Sequence, residues 1–127
     1  MDEEIVLEMG LDEIIFQLSK GLTVEKLKQG IRWFGFEQVK EWKNRMGYKL
    51  HIYSNDHLID NKAHFHLIKE ADSIDCKFDF KGNLLSCSKN EVGRRELDAV
   101  KYFCEQPNQY ILLVNFWNKK NPSFIVS

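Results

Sequence analysis

The four histidines of the chain lie close together in sequence. His51, His57, His64 and His66 fall within sixteen residues, and the other 111 residues contain no histidine. An imidazole gives and takes a proton near neutral pH, and it is a common ligand of transition metals. Four such side chains in so short a segment make residues 51–66 the candidate site for proton transfer or metal binding.

The same segment alternates between apolar and polar residues, which is the pattern of a β-hairpin. Leu50 and Ile52 share one face of the first strand, and Phe65 and Leu67 share the corresponding face of the return strand. The intervening residues 54–63 are rich in turn formers. The opposite face of the hairpin carries Lys49, His51, Tyr53, His64, His66 and Ile68.

Pairing Tyr53 with His64 places His51 opposite His66, and opposed residues share a face with Cβ atoms about 4.5–5.5 Å apart. A slip of one residue would turn the histidines against the apolar face, so alternation disfavours it. The predicted site consists of His51, Tyr53, His64 and His66 beside Lys49, with Asp56 and His57 in the loop at its end.

Three interpretations of this site remain open. In the first, His64 and His66 form a His-x-His pair for a divalent transition metal, with His57 and Asp56 as further ligands. In the second, the site performs metal-free acid–base chemistry that suits RNA cleavage. The catalytic groups are then His57, His64 and His66, with His51, Tyr53 and Lys49 in support. In the third, the histidines are polar residues of an exposed or partner-covered sheet face.

The first 46 residues are predicted to be helical. Leu11, Ile14, Ile15 and Leu18 follow helical spacing, with Gly21 as a stop, and Thr23 is suited to cap a second helix. A third helix over 37–45 would suit a helix-turn-helix, giving a DNA-binding regulator through residues 23–46. The alternative is a helical cap that packs its aromatic residues, Trp33, Phe34, Phe36 and Trp42, on the sheet. Residues 1–46 contain nine acidic and seven basic side chains, which is unfavourable for a DNA-binding surface and favours the helical cap.

The remaining chain completes an α+β fold. A third strand is predicted over 73–80, a tight turn at Lys81–Asn83 and a short fourth strand over 84–88. Two closing helices meet at Pro107, the first with Ser88 or Asn90 as its cap. The prediction is N-terminal helices, a three- to four-stranded antiparallel meander and two C-terminal helices packed on its apolar face. Residues 1–127 are expected to form one domain, with 1–46 as a helical extension of 47–127.

Composition narrows the class of protein. The chain has 18 basic and 19 acidic side chains, so its bulk charge does not argue for non-specific nucleic-acid binding. Three cysteines without a CxxC pair predict no disulfides and a cytoplasmic location, with Cys76 and Cys104 as core residues. The acidic N-terminus and the lack of an eighteen-residue apolar run predict neither a signal peptide nor a membrane span.

The segments IYSNDH and HFHL resemble the NDH-x-PP-H-F-H-V signature of a small bacterial family, a domain of unknown function. Asn55, Asp56, His57, His64 and His66 occupy the signature positions. The resemblance covers about residues 46–119, and its later elements are Ile74–Phe80, Arg95, Leu97, Asn115 and Trp117. Two departures are the residues LIDNKA in place of the double proline and the 46-residue helical extension.

The resemblance implies an uncharacterised bacterial protein, often encoded near toxin–antitoxin-type genes. The leading hypothesis is therefore a toxin–antitoxin or phage-defence protein whose histidines bind a metal or act on RNA. Its partner would be RNA or a cognate protein. The alternative is a non-enzymatic module that docks a protein on the sheet face or on the N-terminal helices.

Overall fold

The computed structural model describes residues 3–31, 47–53 and 62–126. The predicted third helix (37–45), the aromatic residues 33–42 and the loop residues Asp56 and His57 lie outside the described residues. The helix-turn-helix and helical-cap interpretations both fall there.

Two N-terminal helices begin the described chain. Helix α1 spans Glu3–Ser19 and α2 spans Val24–Lys28. The Thr23 side chain accepts a hydrogen bond from the Lys26 N–H at 3.2 Å, so Thr23 caps α2 as predicted. Between the helices Gly21 adopts φ +97°, a conformation that favours glycine and ends α1.

The described strands form one antiparallel meander in the order β1-β2-β3-β4. Their bounds are β1 Lys49–His51, β2 His64–Lys69, β3 Ile74–Asp79 and β4 Leu84–Cys87. A 3₁₀ turn, Glu70–Asp72, joins β2 to β3, and a tight turn containing Gly82 at φ +86° joins β3 to β4. The predicted strands and the tight turn at Lys81–Asn83 are confirmed within one or two residues at each end.

Two helices follow the sheet, α3 over Arg94–Glu105 and α4 over Pro107–Lys120, before a short 3₁₀ turn at Pro122–Phe124. The predicted cap at Ser88 or Asn90 is wrong, because α3 starts after Gly93. Both residues instead continue the sheet: the Ser88 N–H donates to the Asp75 carbonyl, and the Asn90 N–H donates to the Ser73 carbonyl, each at 2.9 Å.

The core lies between the apolar face of the sheet and helices α1, α3 and α4. Side chains from all four meet in one buried cluster, which includes Leu11, Leu50, Phe65, Phe78, Phe103 and Trp117. Each such side chain stabilises the fold by about 1.5–3 kcal/mol. The α+β class, the antiparallel sheet and the packing of the C-terminal helices on its apolar face are confirmed.

A buried polar contact fixes the start of β1 against α3. The Tyr48 hydroxyl donates to Glu96 Oε1 at 3.0 Å, and the Arg95 guanidinium donates to the same oxygen. Burial, together with the charge of Glu96 and the hydrogen bond to it, raises the pKa of Tyr48 above its ordinary value. The phenol therefore stays a neutral donor, and the first residue of the candidate hairpin is held in place.

No helix within the described ranges has the length and apolar character needed to cross a lipid bilayer.

The expectation of no disulfides is wrong. Cys76 of β3 lies directly opposite Cys87 of β4, and the two sulfurs are at bonding distance. Cysteine counting missed this pair because it tests for a framework or a CxxC motif, whereas here the register of the β3–β4 hairpin brings the two side chains together. Cys104 remains a free, buried thiol.

We expect reduction of this bond to lower the free energy of unfolding by about 2–4 kcal/mol, since it closes a loop between residues 11 apart in sequence. Chemical denaturation with and without reductant measures the difference. A Cys87→Ser variant should show the lower stability under both conditions. Titration of the non-reduced, denatured chain should find a single thiol, from Cys104, and three thiols would contradict the pairing.

Candidate functional site: the histidine face

The predicted register of the hairpin is confirmed at its centre. His51 lies directly opposite His66, and Leu50 lies directly opposite Leu67. Leu50, Phe65 and Leu67 are completely buried in the core. Because side chains alternate along a strand, the histidines of β1 and β2 occupy the other face of the sheet.

Four rings on this face form a continuous row. The centroid of Tyr53 lies 4.2 Å from that of His51 and 4.6 Å from that of His66, both edge to face. His64 follows at 5.5 Å from His66, and Trp117 of α4 lies 5.4 Å beyond His64. We call this surface the histidine face; it comprises Lys49, His51, Tyr53, His64, His66 and Lys77.

Exposure falls along the row. Tyr53 is 42% exposed, His66 7% and His64 only 1%. The His51 side chain is about one-third exposed. The row thus runs from a solvent-accessible end on β1 to a buried end at Trp117. A ligand from solution meets His51 and Tyr53 first.

Two of the imidazoles contact carboxylates through the same ring nitrogen. His66 Nδ1 lies 3.1 Å from Asp75 Oδ1 of β3, and His51 Nδ1 lies 2.9 Å from Glu4 Oε2 of α1. A carboxylate only accepts, so Nδ1 is the donor in each pair. The basic lone pair of the neutral ring is then on Nε2, the arrangement of a histidine oriented for proton transfer.

Neither carboxylate was among the predicted site residues. Strand alternation places Asp75 on the polar face of β3, where a solvated charge is the ordinary expectation. The β2–β3 register pairs it with Ile68, two residues from His66, so the register would have found the contact. Glu4 lies more than forty residues from His51 in sequence, and no local pattern indicates that contact.

Two lysines lie on the histidine face, beside the two carboxylate–imidazole pairs. Lys77 lies directly opposite His66, and Lys49 shares a face with His51, two residues away. Within the described ranges, neither Lys49 nor Lys77 has an ion-pair partner. The arrangement of two lysines around two oriented imidazoles suits an anionic group such as a phosphate.

Asp79 of β3 is opposite His64 and is buried. Its Oδ1 accepts the backbone N–H groups of Lys81 and Asn83 at 3.0 and 2.9 Å. Burial by itself raises the pKa of Asp79, but these hydrogen bonds, the Asn83 side chain and the charge of Lys62 outweigh it and hold the pKa below its usual value. Asp79 thereby closes the turn between β3 and β4.

The described residues do not by themselves make a metal site. Within the parts of the chain that the structure describes, no group of three or more histidine, cysteine, aspartate or glutamate side chains is placed to hold a metal ion. Two of the predicted ligands, Asp56 and His57, lie outside those parts. The metal hypothesis therefore depends on the loop between β1 and β2.

Other candidate groups lie elsewhere. A cavity of about 530 Å³ between α2 and α3 has Arg94 and Arg95 in its lining. Each arginine contacts a carboxylate, Arg94 that of Asp98 and Arg95 that of Glu96. Burial raises the pKa of the Cys104 thiol well above its usual value, so it stays protonated and is a poor nucleophile.

More than half of the chain matches a known protein family. A family model, that of a domain of unknown function termed DUF4160, matches residues 47–118. The chain belongs to the DUF4160 family. The match nearly coincides with the predicted 46–119, and it contains the whole sheet, α3 and most of α4. Helix α1, with Glu4, lies outside the DUF4160 segment. Searches of curated proteins and of solved structures found no match.

The hydrogen bonds of Asp79 predict an acid-dependent loss of stability. Its folded-state pKa is lowered, so its contribution is present at neutral pH and is lost as the pH falls below about 4, through the folded-state pKa. An Asp79→Asn variant should lose about 1–3 kcal/mol of unfolding free energy at pH 7 and less at pH 3. Denaturation at both pH values measures this. A matched control, Asp98→Asn, removes a surface carboxylate, and an equal pH effect there would contradict the assignment.

Proposed function

We propose that the histidine face is a metal-independent acid–base site that cleaves RNA. The observation that carries the proposal is the pair of carboxylate-held imidazoles, His66 with Asp75 and His51 with Glu4, on one face of the sheet. Two imidazoles with fixed tautomers supply the base and the acid that phosphodiester cleavage needs. Lys49 and Lys77 lie on the same face, near the two imidazoles.

The proposed reaction is a transfer within the RNA backbone. Nε2 of His66 takes the proton of a ribose 2′-hydroxyl, whose oxygen attacks the adjacent phosphorus. Nε2 of the protonated His51 gives its proton to the departing 5′ oxygen. The new bond joins O2′ to phosphorus, the bond to O5′ breaks, and the products are a 2′,3′-cyclic phosphate and a free 5′-hydroxyl. No external oxidant or reductant is needed.

The other residues of the histidine face stabilise the reacting group. Lys49 and Lys77 neutralise the charge that grows on the phosphoryl oxygens. Tyr53, half exposed beside His51, offers its ring as a stacking surface for a base of single-stranded RNA. His64 is buried between His66 and Trp117, and its contacts with both rings fix the position of the His66 ring.

We also propose a biological role of the toxin–antitoxin or phage-defence type. The resemblance of the NDH and HFH segments to their family implies a genomic neighbourhood of that kind, and RNA cleavage would arrest growth. A cognate protein partner would then inhibit the site. The most direct position for such an inhibitor is the exposed end of the histidine face, at His51 and Tyr53.

RNA cleavage is tested with a single-stranded oligoribonucleotide in the presence of EDTA. We expect cleavage to yield a cyclic phosphate end, and His66→Ala or His51→Ala to lower the rate by about 10²-fold or more. An oligonucleotide with a 2′-deoxyribose at the cleavage position should resist. An Arg94→Ala variant is the matched control, since it removes a charge outside the histidine face.

Three results would overturn the proposal. They are no cleavage of any RNA by the wild type, equal rates in wild type and both histidine variants, and cleavage that EDTA abolishes and a divalent metal restores. The last would instead support the metal hypothesis with His57 and Asp56.

Induced expression in a bacterial host tests the biological role. We expect the wild-type chain to slow growth and the His66→Ala variant, at matched protein levels, to leave growth unchanged, because the toxic effect depends on RNA cleavage. Growth curves with quantified expression are the measurement. Equal slowing by the two proteins would show that any toxicity is independent of the histidine face.

A further inference from the structure

Helix α1 lies against the outer strand of the described sheet and meets it through two carboxylates. Glu8 Oε2 accepts the Leu50 N–H, and Glu4 Oε2 accepts the Ile52 N–H, each at 3.2 Å. These N–H groups point away from β2, where an edge strand has no partner strand. The two glutamates therefore take the place of a neighbouring strand's carbonyl groups.

The spacing of the two contacts has a simple geometric origin. Residues four apart on a helix rise by about 6 Å along its axis. Residues two apart on a strand are about 6.8 Å apart. An i, i+4 pair of glutamates on α1 thus matches successive outward N–H groups of β1. In this respect Glu4 and Glu8 are equivalent.

They differ in one contact that bears on the site. Glu4 Oε2 also lies 2.9 Å from His51 Nδ1, whereas the contact of Glu8 with the edge of β1 is the Leu50 N–H. The end of α1 that carries Glu4 is held by the end of α4: Lys119 binds Glu3, and Lys120 Nζ lies 4.0 Å from Glu4 Oε2. The Glu4 carboxylate is therefore held by contacts from two other elements, β1 and α4.

We propose that Glu4 is a positioning residue for His51. It accepts the Nδ1–H, fixes the tautomer and turns Nε2 toward the group that receives the proton. This rests on the proposed function and deepens it, because it makes α1, which lies outside the DUF4160 segment, a part of the site.

The matched pair Glu4→Ala and Glu8→Ala tests this. Each variant removes one acceptor from the outer edge of β1, but only Glu4→Ala removes the partner of His51. The first readout is the ring-nitrogen NMR spectrum of ¹⁵N-histidine-labelled protein at about pH 8.5, above the range in which histidines ordinarily titrate. We expect the proton of His51 on Nδ1 in the wild type and in Glu8→Ala, and largely on Nε2 in Glu4→Ala.

The second readout is the cleavage rate. We expect kcat to fall about tenfold or more in Glu4→Ala with little change in KM, and to stay near the wild-type value in Glu8→Ala. Glu4→Gln keeps an acceptor oxygen without the charge, so it should retain the Nδ1–H tautomer and part of the rate. Thermal unfolding of all three variants shows that they are folded under the assay conditions.

The inference is overturned if His51 gives the same ring-nitrogen signals in wild type and Glu4→Ala, or if Glu8→Ala shifts them equally. In the second case the glutamates act on the strand edge alone. Failure of the proposed function looks different. If the tautomer changes as expected but the wild type cleaves no RNA, the positioning of His51 by Glu4 is supported and the RNA-cleaving role is not.

Discussion

Leu50 and Leu67 lie opposite each other in the sheet, and both are buried in the core formed with α1, α3 and α4. Everything on the histidine face depends on this contact. A shift of one residue in the pairing of β1 and β2 would turn the histidines toward the core and the leucines toward the histidine face. Each leucine that left the core would cost up to about 1.5–3 kcal/mol, and each imidazole that entered the core without a hydrogen-bond partner would add to that. The register that brings His51 to His66 is thus imposed by apolar side chains on the other face.

The edge of the same sheet imposes the second constraint. An outer strand with free N–H groups must be covered, and here α1 covers it with carboxylates rather than with another strand. Carboxylates have more acceptor capacity than one N–H uses. Glu4 uses part of the remaining capacity to contact His51. The Glu4 side chain therefore both covers the edge of the sheet and orients the His51 imidazole.

Alternation of residues determined what could be predicted. It identified the strands and the shared face of His51 and His66, because burial of the other face excludes a slip of one residue. A slip of two residues keeps the same faces, so alternation alone does not set the exact register. It did not find Glu4, since a contact between a helix and a strand edge leaves no periodic signal in the sequence. The contact of Asp75 with His66 follows from the register of β3 with β2. The Cys76–Cys87 bond follows from the register of β3 with β4, which includes a bulge between Lys77 and Phe78. Alternation alone specifies neither register.

The burial of the rings increases from His51 to His64, and this difference bears on which imidazole acts as the base and which as the acid. His64, at the buried end of the row, contacts Trp117. His51, at the exposed end, contacts the partly exposed carboxylate of Glu4. A base works best where water does not compete for its lone pair, and an acid must regain its proton from solvent after each turnover. His66, nearly buried and held by Asp75, fits the first requirement. His51 fits the second, because its one-third exposed ring remains in contact with solvent.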